Sequence, residues 1–312
     1  MANTADQSQC VLYNGIPPEI RERIFEYACS STNDLTKPYL PDRVYCRPGY
    51  QYHKKTETSL LRTCKRVFAE ARLMPVGQTE HLFWMFGGPY QMMKTKINGM
   101  ARFDAWTASL NFEQQQAVNY VHIFAQQAYL ENLGRFSRLS SLVITTKQLT
   151  LTFRHSDWWS WESPAESSDK LGICPWLPSR VSHQTMLAQP LEPELHSIKE
   201  GMKQGTWGQQ ICQVKGLSVL RIEFEIDVVK KAQLQHVLER AKYWKFPLDG
   251  SNGVLEQVGD VRESSWEGLA DRKDDSSTTL NPPLLTSPTW NDRPKRTYYV
   301  AEMTWKRVAT GE

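Results

Sequence analysis

The clearest structural signal in the chain is the alternating run Leu220-Arg221-Ile222-Glu223-Phe224-Glu225-Ile226. Because successive side chains of a strand point to opposite faces of a sheet, the apolar residues of this run share one face and the charged residues share the other. The run therefore predicts a strand with one face in an apolar core and one polar face.

A related pattern occurs three times: Val118-x-x-Val121-x-Ile123, Leu139-x-x-Leu142-x-Ile144 and Leu217-x-x-Leu220-x-Ile222. The first two copies begin 21 residues apart, and a period of about 20–29 residues is typical of leucine-rich repeats. An alternative is a set of parallel strands joined by right-handed crossovers. Alternation also predicts strands at residues 149–153 and 299–305.

Two amphipathic helices are predicted near the start of the chain. The first covers residues 16–28, with two prolines in its first turn, where a missing N–H costs nothing. Its charged residues lie opposite a single apolar stripe of Ile16, Ile20, Ile24 and Tyr27. The second covers residues 59–74 and ends at Pro75. Because neither helix can stand alone, their apolar sides must pack together, on the rest of the chain or on another polypeptide.

Helical spacing of apolar residues also predicts two later helices. One covers residues 191–202, and the other covers residues 228–244 and begins at Asp227, a favourable capping residue. Together with the strands, these helices indicate a domain in which helices flank a sheet.

The residues between the two early helices, 30–58, combine prolines, four tyrosines and five basic residues. Alternating aromatic and basic residues of this kind are found in proteins whose aromatic side chains stack on the bases of single-stranded nucleic acid. The alternative is a surface loop whose tyrosines attach it to the body of the protein. We favour the loop, because the net charge of the whole chain is +3 and gives no extended positive field.

Composition excludes several classes of protein. Of 312 residues, 40% are apolar, which is too large a share for a wholly disordered chain. The sequence has no apolar run that approaches the roughly 18–20 residues of a membrane span, and its start lacks the order of a signal peptide. The six cysteines are widely spaced, which favours thiols over disulfides. We expect an intracellular protein, in the cytoplasm, the nucleus or both, without a membrane partner.

One dense polar and aromatic segment is a candidate pocket: Arg154, His155, Asp157, Trp158, Trp159, Trp161 and Glu162. At the end of a strand, these side chains would form a wall suited to a carbohydrate or a methylated lysine. The alternative is that the tryptophans are apolar anchors and that Arg154 pairs with Asp157. Because the sequence has no phosphate loop, nucleophile elbow, dinucleotide fingerprint or metal-ligand spacing, we predict no catalytic residue, metal or cofactor.

Two segments of the N-terminal region carry a family resemblance. They are residues 15–28, Gly-Ile-Pro-Pro-Glu-Ile-Arg-Glu-Arg-Ile-Phe-Glu-Tyr-Ala, and residues 60–71, Leu-Leu-Arg-Thr-Cys-Lys-Arg-Val-Phe-Ala-Glu-Ala. Together they resemble the F-box-like module of uncharacterised filamentous-fungal proteins. The module that they indicate, residues 11–86 with the insertion counted, covers about a quarter of the chain.

The resemblance implies an adaptor without chemistry of its own. An F-box docks on the Skp-type adaptor protein of a cullin ubiquitin ligase, while the rest of the chain selects a protein substrate. The docking residues that it implies here are Ile16, Pro17, Ile20, Ile24, Phe25, Leu60, Leu61, Cys64 and Val67. One alternative is an interaction or scaffold protein that does not bind Skp and whose early helices are internal core. A lower alternative is a ligand-binding or enzymatic site around residues 157–162.

These observations predict an α+β fold. An N-terminal F-box-like helical module precedes a mostly parallel, degenerate leucine-rich-repeat-like sheet with flanking helices. The predicted boundaries are a flexible tail at residues 1–10, the module at 11–86 with a loop insertion at 30–58, and an α/β domain at 87–312 with a mobile insertion at 268–296.

Overall fold

A computed structural model of the chain shows a mixed α/β fold built on one large sheet of eight strands. It describes residues 10–39, 47–85, 99–131, 146–178, 180–203, 205–214, 216–249, 253–269 and 295–309. Among these residues, no helix has both the length and the apolar composition needed to cross a bilayer.

The secondary-structure elements follow one another from the N-terminal helices to a long final strand. The helices are α1 (Val11–Asn14), α2 (Pro18–Ala28), α3 (Lys65–Ala71), α4 (Met74–Gly77), α5 (Gly99–Ser109), α6 (Phe112–Ala117), α7 (Gln127–Leu130), α8 (His183–Ala188), α9 (Leu195–Lys203), α10 (Trp207–Cys212) and α11 (Lys231–Ala241). The strands are β1 (Ser31–Pro38), β2 (Tyr52–Thr56), β3 (Glu80–Trp84), β4 (Tyr120–Phe124), β5 (Gln148–Phe153), β6 (Val219–Asp227), β7 (Lys245–Pro247), β8 (Gly253–Gln257), β9 (Arg262–Leu269) and β10 (Lys295–Ala309).

The large sheet has a parallel half and an antiparallel half. Strands β3, β4, β5 and β6 are parallel neighbours in chain order. Strand β10 then pairs antiparallel with β6 on one side and with β8 and β9 on the other, and β7 pairs with β8. The prediction of a mostly parallel sheet was therefore wrong for the C-terminal half, because the last strand of the chain, β10, enters the sheet antiparallel to β6, β8 and β9.

The predicted alternation of β6 is confirmed. Leu220, Ile222, Phe224 and Ile226 are fully buried on one face of the sheet. They belong to an apolar core that also contains Phe103 of α5, Trp207 and Ile211 of α10, and Leu234 and Val237 of α11. The crossover helices thus cover the apolar face, which is where an α/β arrangement places its core.

The polar face of the sheet is covered by the insertion between α2 and α3. The prediction of an irregular loop was wrong here, because β1 and β2 form an antiparallel pair. Just before β2, Arg47-Pro48-Gly49-Tyr50 forms a turn in which the Tyr50 amide donates to the Arg47 carbonyl at 3.0 Å. Gly49 has a φ of 89°, a left-handed value that glycine adopts without strain.

This turn places two side chains on the sheet. The Arg47 guanidinium lies 2.8 Å from the Glu223 carboxylate and 3.5 Å from that of Glu225. The Tyr50 hydroxyl bonds to His122 Nδ1 at 3.2 Å, and Thr152 donates to Glu223 at 2.7 Å. Because Thr152 uses its single hydrogen on Glu223, His122 must donate from Nε2 to the Thr152 oxygen, at 2.7 Å. The tyrosine anchoring that we favoured from the sequence is therefore present at Tyr50.

The second early helix is broken into shorter pieces. A 3₁₀ turn, Ser59–Arg62, precedes α3, and the Cys64 sulfur caps α3 by accepting from the Val67 amide. Pro75 lies in the first turn of α4, where it starts a helix instead of ending one, as a first-turn proline can.

Three predicted boundaries change in the structure. Strand β3, which the sequence analysis placed in the N-terminal module, is part of the large sheet. Leu269 and Gly268 pair with Lys295 and Arg296, so both ends of the predicted mobile insertion are strand. The tail at residues 1–9, the repeat copy at 139–144 and residues 270–294 lie outside the described residues.

The two later helices are confirmed as elements. Helix α9 begins at Leu195, and α11 follows a 3₁₀ turn that the Asp227 carboxylate caps by accepting from the Val229 amide at 3.1 Å. The predicted terminal strand is also confirmed, since residues 299–305 lie within β10.

The contact of Arg47 with the sheet yields a stability prediction. We expect Arg47→Met to lower the free energy of unfolding by about 3 kcal/mol, because Glu225 is fully buried and loses its nearest cation. Urea denaturation measures this loss. Arg262→Met is the matched control, since that side chain is 80% exposed and its ion pair contributes roughly 0–1 kcal/mol. Adding Glu225→Gln should recover part of the loss; equal stability of Arg47→Met and wild type would contradict the account.

Candidate functional site

The two early helices form a small core of their own. Phe25 of α2 and Val67 and Ala71 of α3 are buried together in a cluster separate from the main core. Partly buried neighbours complete this cluster: Leu12, Tyr13, Leu60, Leu61, Cys64 and Met74. We call this unit, residues 10–29 and 59–77, the N-terminal module. Its helices therefore pack on each other, and its apolar cluster is not part of the core of the sheet.

The apolar stripe of α2 faces outward. Ile20 is 54% exposed, Ile24 is 40% exposed and Tyr27 is 88% exposed. These residues stand at positions i, i+4 and i+7, so they share one face of the helix. We call this face the α2 stripe. Among the described residues, these three side chains are therefore not buried by internal packing, as the alternative of an internal core would require.

The inward face of α2 is formed by Arg21, Phe25 and Cys29, which are all buried. Arg21 can lie inside because its Nε donates to Glu70 at 2.7 Å and its guanidinium lies 4.7 Å from the centre of the Tyr13 ring. A buried charge is tolerated when it is paired in this way. The hydrophobic pattern of the helix is thus reversed relative to an ordinary surface helix.

The residues that the resemblance implies for docking differ in how far they are exposed to solvent. Phe25 and Val67 are buried within the N-terminal module, Pro17, Ile20 and Ile24 are exposed, and Ile16, Leu60, Leu61 and Cys64 are half-buried. Phe25 and Val67 therefore stabilise the module from inside. Phe68, which the sequence analysis did not include among the docking residues, is 51% exposed on α3.

Most of the candidate pocket at residues 154–162 is structural. The Arg154 guanidinium makes two bonds to the Asp157 carboxylate, at 2.7 and 2.8 Å, and both side chains are buried. Trp158 is buried, and its indole donates to the Glu225 carbonyl at 3.0 Å. These groups have their partners inside the protein, which agrees with the alternative of anchors and a satisfied ion pair.

His155 also has an internal role. It is buried, and its Nδ1 accepts from the Asp227 amide at 3.1 Å. Burial lowers the pKa of His155 to about 4, so the ring stays neutral near pH 7. Trp161 packs against this ring with 5.6 Å between ring centres, while Glu162 is exposed.

Trp159 behaves differently from the tryptophans beside it. It is 43% exposed and lines a pocket of about 170 Å³. The other lining residues are Gln127, Ser160, Asp169, Lys170, Gly172, Arg180, Val181 and Ser182. We call this the Trp159 pocket. Apart from Trp159, none of these residues was in the predicted set, because they are distributed over residues 127–182 and the signal in the sequence is local to one segment.

The Trp159 pocket lies where two parallel strands end. Gln127 follows the carboxyl end of β4 and Trp159 follows that of β5, while Lys230 beyond β6 donates to the Ser160 carbonyl at 2.8 Å. Ligand sites of open α/β sheets commonly lie outside the carboxyl ends of their strands. The position in the fold is therefore suited to binding.

A half-buried carboxyl group, that of Glu131, contacts Trp159. The Trp159 indole donates to one oxygen of Glu131, and the Gln127 amide donates to the other at 2.9 Å. Burial raises the pKa of Glu131 to about 7, against the lowering effect of these two hydrogen bonds and of Arg180. Within the described ranges, no group of three or more His, Cys, Asp and Glu residues converges as a metal site would.

Comparison with protein-family models, with curated proteins and with solved structures finds no match to this chain.

The raised pKa of Glu131 yields a pH prediction. Between about pH 4.5 and 7 the folded chain holds a proton on Glu131 that the unfolded chain has lost, so this group lowers stability as the pH rises. Glu131→Gln keeps the neutral form at every pH. We expect the difference in unfolding free energy, variant minus wild type, to increase by about 1–3 kcal/mol from pH 5 to pH 8.

Urea denaturation at several pH values measures this difference. Glu239→Gln, at an exposed position of α11, is the control for the loss of one carboxylate. A flat profile for Glu131→Gln would show that Glu131 is an ordinary solvated carboxylate.

Proposed function

We propose that this protein is an adaptor, the substrate receptor of a cullin-type ubiquitin ligase, in which the N-terminal module docks on a Skp-type adaptor protein. The observation that carries the proposal is the α2 stripe, three large apolar side chains exposed along one helix face. Contiguous exposed apolar surface marks interaction sites in proteins. An adaptor of this kind acts inside the cell, as the sequence analysis expects.

The inner face of α2 supports this proposal. Because Arg21 and Phe25 are already buried against the rest of the module, α2 does not need its stripe for its own packing. Packing within the module therefore gives no reason for apolar residues at Ile20, Ile24 and Tyr27. A groove on a partner would bury these side chains. Their burial would stabilise the complex by roughly 25 cal/mol for each Å² of apolar surface removed from water.

The separate core of the N-terminal module holds α2, and with it the α2 stripe, in a fixed position. The ion pair between Arg21 and Glu70 joins α2 to α3, and Gln78 beyond α4 donates to Glu26 on α2 at 3.1 Å. A helix that is already ordered loses less conformational entropy on binding than one that must be ordered first. Phe68 is a further exposed apolar residue of this module, on α3.

The sheet would serve as the part that selects a substrate. Strands β3 to β6 run parallel in chain order with crossovers between them, an order of strands that a degenerate leucine-rich-repeat-like unit would also have. Ubiquitin transfer would then depend on holding the substrate near the assembled ligase, which is catalysis by proximity.

A pull-down with a purified Skp-type adaptor tests the proposal. We expect the double variant Ile20→Asp/Ile24→Asp to recover at least tenfold less adaptor than wild type, because two charges would enter an apolar interface. Both residues are exposed, so the variant should keep the circular dichroism spectrum and the stability of wild type.

Leu35→Asp is the matched control, since Leu35 is an apolar residue of β1 that is 72% exposed and lies outside α2. It should bind as wild type does. Equal recovery with all three proteins, or recovery with none of them, would refute Skp docking and favour the interaction or scaffold protein that acts without it.

A further inference from the structure

We infer that the Trp159 pocket is a binding site for the substrate. It binds one anionic side chain of a polypeptide, which carries either a carboxylate or a phosphate. The inference rests on the proposed function in naming the occupant as part of a substrate protein. It is carried by the charge of the lining, by the position of one arginine and by the size of the pocket.

The charged lining of the pocket is predominantly positive. Lys170 and Arg180 supply two cations and Asp169 supplies one carboxylate, while Glu131 beside the pocket has a pKa raised by burial to about 7 and is only partly ionised near neutral pH. Asp169 already accepts from the Ser160 hydroxyl at 2.9 Å and from the Ser163 hydroxyl at 3.3 Å. Within the described part of the chain, Lys170 makes no ion pair. An anion is therefore the charge that the lining leaves unmatched.

Arg180 is held in position by its neighbours and still has N–H groups that can donate to a ligand. Its guanidinium lies 5.2 Å from the centre of the Trp159 ring, and one of its terminal nitrogens is 3.4 Å from each Asp169 oxygen. Among the described residues, its other N–H groups have no hydrogen-bond acceptor, and the side chain is 51% exposed. Guanidinium groups fixed by an aromatic ring suit the two-point recognition of carboxylate and phosphate.

The pocket has the size of one side chain. A volume of about 170 Å³ is below the roughly 300–1,000 Å³ of typical small-molecule sites. One part of its lining is close-packed backbone, since a Cβ on Gly172 would come within 2.7 Å of the His183 nitrogen. Gly172 cannot move toward His183 without disturbing α8.

The same features argue against the ligands first considered from the sequence. A methylated lysine needs the open face of an indole, but here a guanidinium already lies over Trp159 and would repel it. A neutral carbohydrate would leave Lys170 without a counter-charge among the described residues.

The Trp159 indole N–H provides a local probe of binding, because it is bonded to Glu131 beside the pocket. Its NMR signal is assigned by its loss in Trp159→Phe. The ligands are three capped pentapeptides of glycine with a central glutamate, phosphoserine or glutamine, titrated into the full chain at low ionic strength.

We expect the glutamate or the phosphoserine peptide to shift this signal, and the glutamine peptide to bind at least tenfold more weakly. Whichever acidic peptide binds tighter identifies the anion as carboxylate or phosphate. Arg180→Gln and Lys170→Gln should each weaken binding of that peptide by about tenfold or more. Arg23→Gln, at a 79% exposed arginine of α2, should leave it unchanged.

Two results would overturn the inference: no shift with either acidic peptide, or binding that Arg180→Gln leaves intact. Because this titration needs no Skp-type protein and the pull-down needs no acidic peptide, the two can fail separately. A chain that binds Skp through α2 but ignores both acidic peptides would retain the proposed function and lose this pocket.

Discussion

The ion pairs of Arg47 with Glu223 and Glu225 are the contact on which the arrangement of the chain depends. Two carboxylates on one face of a strand cannot be buried without a cation, and the chain supplies that cation from the insertion between α2 and α3. The insertion thereby covers the polar face of the sheet, while α2 and α3 pack on each other. Because the insertion covers the sheet and α3 covers the inner face of α2, the outer side of α2 is left in solvent.

The sequence predicts those parts of the fold that local patterns control. Strand β6 alternates without interruption, and Asp227 stands where a cap is needed, so both were predicted correctly. The hairpin of β1 and β2 has no such alternation. It is held by Arg47 and Tyr50 through contacts with residues more than 70 positions away, which no local pattern can show. The direction of β10 was hidden for the same reason, since it depends on which strands lie beside it.

The candidate sites show the same limit. The sequence identifies the α2 stripe but not its direction, because its inward face includes an arginine whose partner, Glu70, lies 49 residues away. In the tryptophan-rich segment, Trp158 and Trp159 are neighbours with opposite roles, and a pattern of residue types cannot separate them. The pocket emerges only when the fold brings Gln127 and Arg180 to the same indole.

Strand β6 links the two surfaces that we assign to recognition. The side chain of Glu225 contacts Arg47 of the insertion, while its carbonyl accepts from Trp158, the residue before the pocket tryptophan. Lys230, just beyond β6, holds the backbone at Ser160 and Trp161. One strand thus sets the positions of both the insertion that joins the N-terminal module and the loop that builds the Trp159 pocket. An adaptor of the proposed kind would need such a connection, because transfer falls off when the bound substrate can move freely relative to the docked end.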